Sequence, residues 1–127
     1  MNKIKNKDEI LKIYEEAGEL MYQATLDGDY KTNNREGKKL IKIFKYFEEN
    51  KVFAMECINE MFQSQNVVIQ MEAAAYCLAL NENTDLAEKV LLEISENEEN
   101  GIFGFNAKMT LKVWREQGYL RLYQDKK

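Results

Sequence analysis

Two groups of carboxylates and two thiols are the side chains of this sequence best equipped for chemistry. Glu15, Glu16 and Glu19 fall close together in a helical pattern, and Glu96, Glu98 and Glu99 crowd a short polar stretch. Glycoside hydrolysis needs two carboxyl groups converging across a cleft, one of them desolvated. Both groups fall on positions that the hydrophobic pattern gives to solvent, so a solvated charge run accounts for them. Cys57 and Cys77 fall at apolar positions inside helical patterns. A nucleophilic thiolate needs a nearby base or a helix N-terminus to lower its pKa. The pair therefore reads as reduced core thiols, with a disulfide between them the other geometric option.

The 127 residues include no histidine. That removes Ser-His and Cys-His dyads, imidazole acid–base catalysis, His-ligated metal sites and the Glu-x-x-His pairs of di-iron bundles. GIFGF, residues 101–105, has two glycines but no following Lys-Ser/Thr, so it is not a phosphate loop, and its phenylalanines read as packing. The expectation is a protein that is not an enzyme and has neither cofactor nor metal.

Charge is the remaining signal. The net charge of −4 hides a polarised chain. Residues 31–51 hold seven basic side chains against Glu36, Glu48 and Glu49, whereas residues 82–99 hold seven acidic ones against Lys89. Arg35, Lys38, Lys42 and Lys45 recur at three- and four-residue steps, which aligns them as one helical stripe. Lys108, Lys112 and Arg115 form a second stripe by the same rule. These seven residues are the candidate partner-binding set. An ordinary pair of solvated helix faces is the alternative.

The elements that carry these residues are helical throughout, because apolar positions repeat with a period near 3.6 and strand-like alternation is nearly absent. Six helices are expected, over about 7–25, 33–49, 51–63, 67–80, 85–96 and 103–117. Asn6, Asn66 and Thr84 are expected caps; Gly28, Asn50 and Gly118 are expected breaks. The expected core stripe of the first helix includes Ile10, Ile13, Tyr14, Ala17, Leu20 and Ala24; the second places Leu40, Ile43, Phe44 and Phe47 inward. Leu120, Leu122 and Tyr123 are expected to pack back before Lys126 and Lys127 fray.

Short connections make neighbouring helices antiparallel, and a shift of about 33–36 residues aligns their apolar stripes. Ala54 then falls on Ala87, Ile58 on Leu91, Ala73 on Ala107 and Leu80 on Trp114. Three antiparallel pairs would make a short armadillo/HEAT-like α-α superhelix, residues 1–127 forming a single domain; an irregular six-helix bundle is the alternative. VVIQMEAAAYCLAL, LAEKVLLEIS and AKMTLKVWREQGYL resemble a family of small bacterial HEAT-like helical-repeat proteins, over roughly residues 30–120. The resemblance implies an all-α solenoid without a known active site. Some relatives of such proteins are immunity partners of secreted toxins, which implies the same role here, with no functional residue carried over.

In such a solenoid the second, fourth and sixth helices share the concave layer, which would set both basic stripes there. The partner class expected is another protein, such as a toxin domain, reached through the basic stripes or the acidic 82–99 segment. A HEAT-like nucleic-acid binder using a basic concave face is the second reading. A pI near 5.0 and the lack of interleaved aromatic and basic residues stand against it. MNKIKNKDEI lacks the apolar core of a signal peptide, and no run approaches a membrane span. A cytoplasmic location without membrane contact is expected.

Overall fold

The computed structural model describes residues 6–124. All regular structure among the described residues is helical: six α-helices and one 3₁₀ turn. The chain divides into two compact units, residues 1–69 and 70–127, with the division falling inside the fourth helix.

The first unit starts with α1 (Lys7–Asp27), which Asn6 caps. The Asn6 side chain accepts the Glu9 N–H at 2.8 Å, and the Glu9 carboxylate accepts the Asn6 N–H at 3.3 Å. This reciprocal pair satisfies two otherwise orphaned donors. Gly28 ends α1 in the left-handed region, φ +71, where a side chain would be strained. Asp29 then caps α2 (Tyr30–Glu49), accepting the Thr32 N–H at 3.1 Å and the Thr32 hydroxyl at 2.7 Å. These bonds hold its carboxyl below the usual range. Because Asp29 does the capping, α2 begins three residues earlier than its apolar periodicity indicates. Asn50 donates back to the Tyr46 carbonyl at 2.9 Å and precedes α3 (Lys51–Met61), which packs on both α1 and α2. Tyr14, Phe44, Phe47, Ala54 and Ile58 are the centre of this unit.

Asn66 accepts the Val68 N–H at 2.8 Å at the start of α4 (Val67–Leu80). Gly18 of α1 lies against this start. A Cβ there would stand 2.7 Å from Ile69 Cγ1, so only glycine permits the approach.

In the second unit, α5 (Thr84–Glu96) and α6 (Ile102–Gln117) pack as a hairpin, joined by the 3₁₀ turn Glu98–Asn100. Thr84, the expected cap, is instead the first helical residue. Asn83 takes the N-cap position of α5 without a side-chain capping bond, in a left-handed conformation, φ +50, which asparagine tolerates and β-branched threonine does not. Gly104 brings α6 onto the end of α5; its Cβ would sit 3.2 Å from the Ile94 carbonyl oxygen. Gly118, φ +83, stops α6 as expected and donates to the Trp114 carbonyl at 2.8 Å. Leu120, Leu122 and Tyr123 are half-buried. Lys126 and Lys127 lie outside the described residues. Among the described residues no helix is long and apolar enough to cross a membrane.

Candidate functional site

Glu15, Glu16, Glu19, Glu96, Glu98 and Glu99 are exposed. Among the described residues no group of His, Cys, Asp or Glu could hold a metal ion. Cys57 and Cys77 are free and fully buried, and burial pushes both thiols up to about 11. They are core residues.

The basic residues on α2 lie on its outer side. Helical geometry sets Arg35, Lys38, Lys42 and Lys45 roughly opposite the buried line of Glu36, Leu40, Phe44 and Phe47. Arg35 donates to Glu36 at 3.1 Å. Lys38 and Lys42 are exposed and make no ion pair among the described residues. On α6, Lys112 pairs with Glu116 at 2.7 Å and Arg115 with Glu88 of α5 at 3.3 Å; Lys108 is exposed. Glu88 also accepts the Trp114 indole N–H at 3.1 Å, so part of the second stripe is spent on holding its own hairpin together. The two stripes belong to different units.

Glu36 is a carboxylate that the charge pattern leaves inconspicuous and the structure singles out. It is 2% exposed, yet Arg35 and Lys39 each donate to it at 3.1 Å. Burial pushes its carboxyl up; the bonds from Lys39 and Arg35 outweigh that and hold it below the ordinary value. It is therefore ionised at neutral pH and fixes both cations beside the opening between α1 and α2.

That opening is an apolar groove of about 350 Å³. Its floor is Ile10, Ile13, Ala17 and Leu20 from α1 with Ile43 and Tyr46 from α2, and its charged rim is Glu16, Glu36, Lys39 and Lys42. Ile13, Leu20 and Ile43 were expected in the core by their spacing. In the structure Ile13 and Ile43 are half-buried and Leu20 is 46% exposed. The apolar stripes of α1 and α2 are wider than the contact between the helices, and the surplus lines the groove.

The second unit has its own exposed apolar line on α6: Ile102, Phe105, Met109 and Val113. Phe103 is buried, as expected for the GIFGF segment, but Phe105 is 60% exposed, because it points to the side of α6 away from Ala107 and Leu111.

One further carboxyl, Glu72, sits in the apolar helix α4. Burial raises it to about 7, partly countered by a hydrogen bond from Tyr76 one turn on. A lone Glu in VVIQMEAAAYCLAL was visible in the sequence; nothing there distinguished it from a surface residue.

Comparison with known protein families, curated proteins and solved structures finds no match to the chain.

Proposed function

We propose that this chain is a non-enzymatic, HEAT-like helical module of the bacterial cytoplasm that works by binding another protein, and that its basic α2 face is the contact surface. The observation that carries this reading is the α2 face itself. Lys38 and Lys42 stand exposed and without ion pairs among the described residues, and Lys42 borders an apolar groove. Cations left unsatisfied beside exposed apolar surface are the pattern of an interface awaiting an acidic counterpart. The helix hairpins α1–α2 and α5–α6 support the repeat reading, since pairs of that kind are the unit of HEAT-like stacks. In its most specific form the module is an immunity protein neutralising a toxin domain, a role that rests on the family resemblance. The nucleic-acid alternative is weakened because Arg35, Lys112 and Arg115 are already paired with carboxylates. Few cations remain to release counterions from a phosphate backbone.

The test is coexpression with the product of the adjacent gene, reading complex formation and rescue of growth. The K38E/K42E variant is expected to lose at least tenfold in affinity, and K108E/K112E to lose less. No complex and no rescue would sink the immunity role. A mobility shift with nucleic acid at about 50 mM salt, steeply lost as salt rises, would favour the alternative.

A further inference from the structure

We infer that the α1–α2 groove receives one amphipathic helix of the partner protein, seated by apolar anchors and oriented by the opposite charges of the two groove walls. This rests on the protein-binding reading and adds the shape and polarity of what is bound. The lining runs from Ile10 to Leu20 on α1 and from Glu36 to Tyr46 on α2, ten residue steps on each helix, or ~15 Å at 1.5 Å rise per residue. A groove about three turns long and open to solvent matches a helix presenting apolar residues at i, i+3 or i+4, and i+7. A small amphiphile fits less well, because such ligands are held by sites that enclose most of their surface.

Charge fixes the orientation. The α1 rim contributes Glu16, whereas the α2 rim contributes Lys42 together with Glu36, whose single negative charge is shared by two cations, Arg35 and Lys39, so that this wall is net positive. Beyond the α2 rim stand Lys38 and Lys45. The occupant therefore carries acidic residues along the edge that meets α2 and a basic residue toward Glu16. A second copy of this chain lacks that match at its own most exposed apolar line. Ile102, Phe105, Met109 and Val113 on α6 are bordered by Lys108 and by Lys112, whose partner Glu116 is already taken, so the line offers α2 a lysine and no unpaired acidic edge.

The experiment uses the full chain and two synthetic 15-residue helical peptides. Both carry Leu at positions 4, 8 and 11; one has Glu along the neighbouring edge and the other has Lys there. Fluorescence anisotropy is expected to show the Glu-edge peptide binding at least tenfold more tightly, and amide shift changes should cluster on α1 and α2. Leu20→Glu, at an exposed position that tolerates the change, should weaken that binding at least tenfold with the helical circular dichroism unchanged. Equal affinity for the two peptides, no binding at millimolar peptide, or shift changes confined to other helices would overturn the inference. So would decanoate occupying the groove where the Glu-edge peptide does not. The two readings fail differently. A partner that binds Leu20→Glu normally but loses K38E/K42E leaves the protein-binding role standing and removes the groove. Failure to capture any partner removes the role itself.

Discussion

Glu72 gives the fold a pH dependence of predictable sign. Its carboxyl is raised from 4.5 to about 7, with burial the dominant cause and the Tyr76 hydrogen bond a partial offset. Below pH 4.5 the carboxyl is protonated in both folded and unfolded chains and costs nothing. Between pH 4.5 and 7 the unfolded chain releases the proton while the folded chain retains it, so stability falls as pH rises. Above pH 7 the full difference applies. Glu72 is half-buried and keeps part of its surface in water, so at 1.36 kcal/mol per pKa unit the difference amounts to at most ~3 kcal/mol. Glu72→Gln keeps the shape and an acceptor oxygen for Tyr76 but cannot ionise, so it escapes the loss. Urea unfolding of parent and variant at pH 5 and pH 8 isolates this one group, because every other titration cancels in the difference. About 0.8 kcal/mol of the loss is already present at pH 5, so the advantage of Glu72→Gln is expected to grow by up to ~2.5 kcal/mol between the two pH values. A difference constant to within about 0.5 kcal/mol, or a carboxyl titrating near the ordinary ~4.3, would refute the assignment of Glu72 to a desolvated site.

Two other predictions follow from packing. Gly18→Ala would place a methyl group 2.7 Å from Ile69 Cγ1 and 2.9 Å from Cδ1; overpacking at ~1–3 kcal/mol should exceed the ~1 kcal/mol gained in helix propensity. The urea midpoint should therefore fall, and Ile69→Val in the same chain should recover part of the loss; a midpoint that rises contradicts the close approach. Cys57 and Cys77, buried and pushed up to about 11, should react with a thiol reagent at pH 8 only as fast as the fold opens. Labelling of the native protein at the rate seen in denaturant would place them at the surface.

The helices were legible in the sequence because each signal is local. Apolar spacing set the six elements, and Asn6, Asn66, Gly28 and Gly118 act as their residue types imply. The misses are local signals that compete. Asp29 outranks the apolar pattern in starting α2, and Asn83 takes the cap from Thr84 because asparagine accepts a positive φ. The groove was not legible. Periodicity says that Ile13, Leu20 and Ile43 lie on apolar faces, but how far two faces overlap depends on the crossing of α1 with α2, which no spacing within either helix encodes. Glu36 was hidden for the same reason: within its helix it is one of three acids among six bases, and only the fold shows that it is covered.

Counting cations along a helix therefore overstates what a partner meets. The stripe on α6 looks equivalent to that on α2 in sequence, yet Arg115 is bound to Glu88 and Lys112 to Glu116, while Lys38 and Lys42 have no such carboxylate among the described residues. The difference comes from neighbours. The acidic α5 lies against α6 and supplies Glu88, whereas Glu36, within the α2 stripe's own stretch of helix, is already held by Arg35 and Lys39. An exposed pair already made contributes ~0–1 kcal/mol to the fold, and a partner must break it to use either charge. A cation still facing only water can exchange that water for an acidic group at lower cost, and when it also borders an apolar groove the two gains fall on the same ligand. That combination occurs on α2, which is why the weight of the binding proposal rests there rather than on both stripes equally.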